Sequence, residues 1–249
     1  MRVEPELLCH ALAARLEGMP RAPAPAWLDA FASAEARARS ALARDLAGDD
    51  RLLGPRAAAE LAESLPAGAT LFVSNSLPIR DVDALFPVST RPLRVLCNRG
   101  ANGIDGIVSS ALGAAAGGAA PLVLLTGDLA LLHDLGGLLA ASRHRIAATL
   151  VVLNNDGGGI FSLLPVAAQR EAVDFETLFS TPHGLDLAHA SRLFGATHWR
   201  VTRLEELRLA LKQTIGAPGL HVVEVPFDRE VDADARRTLF ARAASEARA

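Results

Sequence analysis

The sequence predicts an α/β fold, a doubly wound parallel sheet preceded by a helical N-terminal lead-in. Half of the 249 residues are hydrophobic, so the chain can bury a sizeable core. Short, unbroken apolar runs recur along it, which is typical of strands buried on both faces of a parallel sheet. Segments in which apolar residues have helical spacing separate these runs. Together the three observations favour strands that alternate with helices.

The first 53 residues are predicted to be helical and to contain no strand. The stretch LLCHALAARLEG and residues 28–46 have helical patterns, and MPRAPAPAW between them is typical of a linker. We interpret residues 1–53 as the remnant of a central domain with its linker, and residues 54–249 as the main α/β domain.

The main domain is predicted to contain strands joined by helices. The strand candidates are TLFVSN at 70–75, LRVLCN at 93–98, PLVLLTGD at 121–128, ATLVVLNN at 148–155 and LHVVEV at 220–225. Two sets of apolar residues between them have helical spacing, namely Ile104, Ile107, Val108, Ala111, Leu112 and Ala115, and then Leu131, Leu132, Leu135, Leu138 and Leu139.

Composition and charge argue against several classes of protein. A net charge of −3 provides no electrostatic footprint for nucleic acid. Cys9 and Cys97 lack the spacing of a disulfide framework or a zinc site. Charged residues among the first 18 positions interrupt the apolar core that a signal peptide needs, so we expect a cytoplasmic protein. Residues 106–127 carry no charge, but the small residues of GAAAGGAAP predict a helix, a turn and a strand instead of a membrane span.

Two of the predicted strands end in residues that can bind a metal. Asp128 ends one run and Asn155 ends the next, with 24 residues between Leu129 and Asn154. Ligands collect beyond the carboxyl ends of parallel strands, so both ends can face one cavity. Magnesium prefers oxygen ligands, and the glycines after Asn155 let a backbone carbonyl approach as a third one. The pattern indicates a metal–diphosphate site.

Other interpretations of these residues are weaker. Asn155-Asp156-Gly157 is also a common hairpin turn. The unbroken run TLVVL before it lacks the alternation of a hairpin, and Asp128 adds an independent requirement. A phosphate-binding GxxxxGK[ST] loop is missing, and the one lysine, Lys212, lies in a helical pattern.

The pairing of Gly-Asp with Asn-Asn resembles the motif by which thiamine diphosphate enzymes hold the cofactor's diphosphate through a divalent metal. Longer stretches resemble one family, the 2-succinyl-5-enolpyruvyl-6-hydroxy-3-cyclohexene-1-carboxylate synthases of menaquinone biosynthesis. These stretches are SNSLPIRDVDALF, NRGANGIDGIVSSALG, GDLALLHDLGGLL, NNDGGGIFSLLP and TPHGLDLAHASRLFG. The similarity covers about residues 55–228 strongly and the first 50 residues weakly.

The resemblance implies roles for individual residues. Thiamine diphosphate would be bound by Asn75, Ser76, Ile104, Gly127, Asp128, Leu129, Asn155, Gly157, Gly158 and Ile160. Mg²⁺, or Mn²⁺, would be ligated by the side chains of Asp128 and Asn155 and by the carbonyl of Gly157. The substrates would contact Ser76, Arg80, Arg99, Ile160, Phe161 and Leu164. Ile104 would support the bent conformation of the cofactor, and a compatible alternative is a core isoleucine on the helix that follows.

Several polar residues have ordinary alternatives. Arg80 could be a solvent-exposed arginine paired with Asp81 or Asp83. Its position after a strand end, however, suits a bidentate grip on a carboxylate. His133 is expected to be structural, and His183 is expected to cap or turn the chain rather than to transfer a proton.

The resemblance implies a transferase that decarboxylates 2-oxoglutarate and adds the succinyl carbanion to isochorismate, with the cofactor as electron sink. The family also carries a pyrimidine-binding domain whose glutamate activates the cofactor, and no glutamate of this sequence lies in a matching motif. We therefore expect the C-terminal part of such a synthase, inactive without the pyrimidine-binding domain of a neighbouring subunit in a homo-oligomer. The alternatives are a non-catalytic cofactor-binding module and a subunit of another thiamine diphosphate carboligase or decarboxylase.

Overall fold

The computed structural model describes residues 4–19, 25–100 and 103–248. Part of the predicted linker MPRAPAPAW, residues 20–24, lies outside the described residues. The same holds for residues 101 and 102 of the stretch NRGANGIDG.

Six parallel strands form one sheet in the described chain. Their bounds are Thr70–Val73 (β1), Arg94–Cys97 (β2), Leu122–Gly127 (β3), Ala148–Asn154 (β4), Thr197–Arg200 (β5) and Leu220–Pro226 (β6). The order across the sheet is β2-β1-β3-β4-β6-β5, and every neighbouring pair is parallel. The predicted fold class is confirmed, and the hairpin interpretation is wrong because β4 pairs in parallel on both sides. The strand order reverses between β1 and β3, where ligands bind in folds of this kind.

Helices connect the strands and flank the sheet. Those that the structure describes are Pro5–Leu16 (α1), Ala26–Ala47 (α2), Gly54–Ser64 (α3), Leu77–Leu85 (α4), Ile107–Ala116 (α5), Asp128–His133 (α6), Leu138–His144 (α7), Leu187–Leu193 (α8), Leu204–Thr214 (α9) and Arg229–Arg248 (α10). In this part of the chain, no helix combines the length and the apolar character that a membrane span requires.

Two hydrophobic clusters cover the two faces of the sheet. Along β1, Leu71 and Val73 belong to one cluster and Phe72 to the other, as the alternation of side chains in a strand requires. The first cluster includes residues of α3 and α9, and the second includes residues of α5 and α7. Burial of each leucine in these clusters contributes about 1.5–3 kcal/mol relative to exposure. The apolar runs that form β1, β3, β4 and β6 correspond to this two-sided burial, whereas three of the four residues of β2 are exposed, so the expectation is wrong for the run LRVLCN.

The structure differs from the sequence prediction in two elements. Residues 197–200 form the strand β5, which was not predicted. The predicted helical segment around residues 131–139 is interrupted at Asp134, whose carboxylate accepts hydrogen bonds from the Ser109 N–H at 2.6 Å and from Ser109 Oγ at 2.9 Å. A short 3-10 turn follows, and a Cβ at Gly137 would come within 2.6 Å of Ser109 Oγ. Close packing against α5 explains the break.

The N-terminal helix α2 packs against the C-terminal helix α10. Arg37 donates hydrogen bonds to the carbonyl oxygens of Glu246 at 3.0 Å and Ala247 at 2.9 Å. Leu52 and Leu53, which follow α2, are buried. Helix α1 has no buried residue. The division of the chain at residue 53 stays a prediction.

Helix α10 is also fastened to α4 by a buried arginine. Arg236 donates to both carboxylate oxygens of Asp81 and to Oδ2 of Asp232, the latter at 2.6 Å. Burial raises the pKa of Asp81, although the guanidinium of Arg236 opposes that shift. This ion pair therefore fixes α10 next to the helix that follows the tip of β1.

Candidate functional site

The site lies where β3 and β4 end. Gly127 is the last residue of β3 and pairs in register with Leu153 near the end of β4. Asp128 begins α6 directly after β3, and Asn155 follows β4 directly. Adjacent parallel strands thus bring the carboxylate and the amide to one edge of the sheet, as the sequence predicted.

A cavity of about 200 Å³ opens at this edge. Every residue predicted to bind the cofactor lines it, which are Asn75, Ser76, Ile104, Gly127, Asp128, Leu129, Asn155, Gly157, Gly158 and Ile160. The other lining residues are Leu77, Pro78, Ala130, Leu153, Gly159, Phe161, Phe227 and Arg236. The structure therefore brings the predicted cofactor residues together, while their contacts with a cofactor stay a prediction.

The carboxylate of Asp128 is buried and held by several donors. Oδ1 accepts the Leu129 N–H at 2.7 Å, and Oδ2 accepts the Gly157 N–H at 2.8 Å. Nε2 of His183 lies 3.3 Å from Oδ2. Burial raises the pKa of Asp128 above its ordinary value, although the two backbone hydrogen bonds and His183 oppose the shift. A cation beside the carboxylate would favour the ionised form.

The amide of Asn155 supplies the second candidate ligand. Its Oδ1 atom is buried and has no hydrogen-bond partner among the residues that the structure describes. A buried acceptor without a partner is destabilising, so it suggests a missing ligand. Within the described residues, no cluster of three or more His, Cys, Asp or Glu side chains could hold a metal ion. A cation here would therefore depend on one carboxylate, this amide oxygen and backbone carbonyls, which suits a hard ion such as Mg²⁺.

The loop after β4 can be formed only with glycine at two of its positions. Gly157 has a φ of +135°, and a Cβ there would collide with the carbonyl oxygen of Ser180. A Cβ at Gly158 would collide with the carbonyl oxygen of Phe179. The two glycines let the loop pack directly against the backbone of residues 179–180, with the Gly157 N–H turned to Asp128.

The tip of β1 forms the opposite wall of the cavity. Ser76 has φ +72° and ψ −133°, a backbone conformation that residues with a side chain rarely adopt. Its carbonyl oxygen accepts a hydrogen bond from Arg80 at 2.7 Å. Asn75 Oδ1 accepts one from Arg99 at 3.0 Å. Backbone strain of this kind is often found at functional sites.

The predicted substrate residues are divided between the cavity and its surroundings. Ser76, Ile160 and Phe161 line the cavity. Arg80 and Arg99 are exposed, and they contact the cavity wall through their hydrogen bonds to Ser76 and Asn75. Asp81 is not the ion-pair partner of Arg80, because it is bound by Arg236. Leu164 is 42% exposed and borders a separate groove.

Ile104 and His133 also have defined surroundings. Ile104 is half-buried in the cavity wall and precedes the first residue of α5, so it is not part of that helix. His133 is exposed at the end of α6, with Nδ1 3.8 Å from Asp105 Oδ1.

The sequence did not predict two side chains that support the site. His183 lies against Asp128, with only 9% of its side chain exposed. Arg229 donates to the carbonyl oxygen of Asp156 at 3.0 Å and so ties α10 to the loop. The motif TPHGLD drew attention to His183 as a residue that caps or turns the chain. No spacing in the sequence indicated its contact with Asp128.

Comparison with known proteins shows the family to which this chain is similar. The family model "Thiamine pyrophosphate enzyme, C-terminal TPP binding domain" matches residues 83–225. The chain is 56% identical over 221 residues to the 2-succinyl-5-enolpyruvyl-6-hydroxy-3-cyclohexene-1-carboxylate synthase of Myxococcus xanthus (strain DK1622), covering 88% of this chain and 37% of that protein. It is 45% identical over 240 residues to the synthase of the same name from Chloroflexus aurantiacus (strain ATCC 29366 / DSM 635 / J-10-fl), covering 96% and 40%. The chain thus spans about two fifths of the length of these curated relatives.

A solved structure has a similar fold. Benzoylformate decarboxylase from Polynucleobacter necessarius has a TM-score of 0.59 with 21% sequence identity, covering 73% of this chain and 35% of that chain. At this identity the likeness supports the architecture alone.

Proposed function

We propose that this chain, a member of the thiamine pyrophosphate enzyme family, binds thiamine diphosphate through a divalent metal in the cavity at the ends of β3 and β4. The chain matches the C-terminal portion of 2-succinyl-5-enolpyruvyl-6-hydroxy-3-cyclohexene-1-carboxylate synthases, which supports this proposal. The metal is Mg²⁺ or Mn²⁺, held by Asp128, Asn155 and the carbonyl of Gly157. The expected location in the cytoplasm stays a prediction.

One observation carries the proposal. Asn155 Oδ1 is a buried acceptor that no described residue partners, and it lies in the same cavity wall as the buried carboxylate of Asp128. A divalent cation would satisfy both groups at once, because it provides a partner for the amide oxygen and stabilises the charge of the carboxylate. A purely apolar ligand would neither provide a partner for the amide oxygen nor stabilise the charge of the carboxylate.

The rest of the cavity suits a cofactor whose reactive ring must be kept from water. Thiamine diphosphate, when bound, supplies the electron sink for decarboxylation of a 2-oxo acid. Ile104, Ile160 and Phe161 form apolar walls that would orient the rings and exclude water. Phe161 is itself held by an edge-to-face contact with Phe179, with ring centroids 5.5 Å apart.

The substrates that we propose are 2-oxoglutarate and isochorismate, to give 2-succinyl-5-enolpyruvyl-6-hydroxy-3-cyclohexene-1-carboxylate. Both carry carboxylates, which arginine binds through paired N–H donors. Arg80 and Arg99 lie beside the β1 wall of the cavity, and a guanidinium has five N–H donors, more than the one by which each contacts Ser76 or Asn75 in the described chain. We propose that these two residues, with Ser76, bind substrate carboxylates. The role proposed for Leu164 requires the adjacent groove to contribute to the substrate site.

The proposed active site needs a second domain. No glutamate lines the cavity among the residues that the structure describes. We propose that the activating glutamate comes from a pyrimidine-binding domain of a neighbouring subunit in a homo-oligomer. The 249 residues alone should then bind the cofactor and not turn it over.

Calorimetric titration of the purified chain with thiamine diphosphate tests the binding proposal. We expect binding in the presence of Mg²⁺ and none after chelation with EDTA. The Asp128→Ala variant should lose the Mg²⁺-dependent component, whereas Asp234→Ala, which removes a carboxylate that is 77% exposed on α10, should bind like the unchanged chain. Binding that persists in EDTA would contradict a metal-mediated site.

A turnover assay with both substrates tests the half-site proposal. We expect no product from the chain alone and product after addition of a polypeptide that carries the pyrimidine-binding domain. Product from the chain alone would contradict the proposal that this chain forms only half of an active site. Cofactor binding without product even in the mixture would favour a non-catalytic binding module, and product from a different 2-oxo acid would favour another carboligase or decarboxylase.

A further inference from the structure

We infer that His183 is a positioning residue for the metal site: its ring fixes the orientation of the Asp128 carboxylate and thereby strengthens metal-dependent binding of the cofactor. This inference rests on the proposed function and adds to it a residue that lies 55 positions away from Asp128 in the sequence.

The ring of His183 is held in one tautomer by its neighbours. The Leu185 N–H donates to Nδ1 at 3.0 Å, so Nδ1 is an acceptor and carries no proton. In the neutral ring the proton is therefore on Nε2, which lies 3.3 Å from Asp128 Oδ2. The side chain is 9% exposed, so bulk water has little access to the contact.

The backbone around His183 is fixed by a carboxylate of the loop after β4. Asp156 Oδ1 accepts hydrogen bonds from the His183 N–H at 3.1 Å and the Gly184 N–H at 2.8 Å. Arg229 donates to the carbonyl oxygen of the same aspartate at 3.0 Å. Asp156 therefore joins the segment that carries His183 to the loop that carries Asn155.

The hydrogen bonds to Asp128 leave room for a cation. A carboxylate has about four lone-pair sites, and three are directed to the Leu129 N–H, the Gly157 N–H and His183 Nε2. The donors fix the rotation of the carboxylate, and acceptor capacity remains for one more partner. Partners of this kind, which orient a metal ligand without touching the metal, typically strengthen metal affinity by about 10–100-fold.

The experiment measures metal and cofactor affinity in single variants of the full chain. The dissociation constant of Mn²⁺ is measured by electron paramagnetic resonance with thiamine diphosphate present, and that of thiamine diphosphate by calorimetry with Mg²⁺ present. We expect His183→Ala to raise both dissociation constants by about 10–100-fold. His183→Gln, which can place an amide N–H near the position of Nε2, should stay within about threefold of the unchanged chain.

Two controls separate positioning from a general loss of structure. His189→Ala removes a histidine that is 76% exposed, and it should leave both dissociation constants unchanged. Circular dichroism without metal checks that each variant is folded. If His183→Ala does not fold, His183→Asn replaces it, because that side chain is polar but too short to donate from the position of Nε2.

The outcomes are distinct. If the unchanged chain binds no cofactor, the proposed function fails and this inference fails with it. If the unchanged chain binds, Asp128→Ala does not, and His183→Ala binds normally, the inference alone is overturned. If His183→Gln binds metal and cofactor as weakly as His183→Ala, the hydrogen bond from Nε2 does not account for the loss of affinity. The positioning role is then also overturned.

Discussion

The backbone N–H of Gly157 donates a hydrogen bond of 2.8 Å to Oδ2 of Asp128. The two residues are 29 positions apart and follow neighbouring strands. This bond connects the loop after β4 to the tip of β3, so the conformation of the glycine loop and the orientation of the carboxylate are set together. A change in either should alter both stability and binding.

Replacement of Gly157 by alanine should destabilise the fold strongly. The new Cβ would collide with the Ser180 carbonyl oxygen, and φ is +135° at this position. We expect the free energy of unfolding, measured with urea, to fall by about 2–4 kcal/mol. The matched control is Gly113→Ala in α5, where a Cβ would meet no described atom within 4 Å apart from the adjacent backbone of its own helix, and alanine should stabilise by about 0.5–1 kcal/mol. Equal effects in the two variants would refute the steric argument.

Replacement of Asn155 by alanine should separate stability from binding. The substitution removes a buried acceptor that has no partner within the described parts of the chain. We expect the free energy of unfolding without ligand to stay constant or to rise by up to about 1 kcal/mol. Mg²⁺-dependent binding of thiamine diphosphate should fall by about 100-fold or more, since one metal ligand is lost.

The control for Asn155 is another asparagine whose amide has a partner. Asn98 Nδ2 donates to Ser110 Oγ at 2.9 Å, so Asn98→Ala should lower the free energy of unfolding by about 1 kcal/mol. Urea titration without ligand compares the two variants. A similar loss in Asn155→Ala would mean that its Oδ1 atom has a partner in the folded chain.

Replacement of Ser76 by glycine should relieve backbone strain. With φ +72° and ψ −133°, serine has an unfavourable conformation that glycine adopts freely. Thermal unfolding without ligand should show a gain of about 1 kcal/mol. The same replacement in ordinary helix, Ser40→Gly in α2, should lose about 0.5–1 kcal/mol. If Ser76→Gly also loses stability, the positive φ is not a source of strain.

A buried glutamate in β6 should make stability depend on pH. Burial alone would raise the pKa of Glu224, but hydrogen bonds from His198 and Asn154 and the charge of Arg200 lower it below the ordinary value of 4.5. A carboxylate whose pKa is lowered in the folded state stabilises the fold above its unfolded pKa. The contribution of Glu224 should therefore be complete above pH 4.5 and disappear as the pH falls through the lower folded pKa.

Urea unfolding of the unchanged chain and of Glu224→Gln at several pH values between 7 and 3 measures this contribution. We expect the difference between the two free energies of unfolding to be largest above pH 4.5 and to shrink in more acidic buffers. A difference that stays constant over this range would indicate that the charge of Glu224 has no part in stability.

The sequence predicted the strands that are buried on both faces. All seven residues of β4 are buried, and an unbroken apolar run is sufficient to identify such a strand. The edge strand β5 was not predicted because it is only partly buried. Its first and last residues, Thr197 and Arg200, are exposed, so its sequence THWR has no apolar run to detect. Partial burial leaves little trace in the sequence of a short strand.

The sequence also predicted the strand tips of the site better than the loops around them. Asp128 and Asn155 could be paired from spacing because each follows a strand directly. His183 reaches the site through a loop whose path depends on hydrogen bonds to Asp156, and no periodicity encodes such a path. Contacts that depend on the conformation of long loops require coordinates.

In the proposed function, a cation that binds Asn155 Oδ1 also stabilises the folded chain, because this buried acceptor has no partner among the described residues. A ligand that fills the cavity adds RT ln(1 + [L]/Kd) to the free energy of unfolding, about 2.7 kcal/mol at a hundredfold excess over Kd. Loaded molecules consequently spend less time open to proteases than empty ones. Under the proposed function, a shortage of the coenzyme would therefore lower the number of folded copies as well as the number that carry the cofactor.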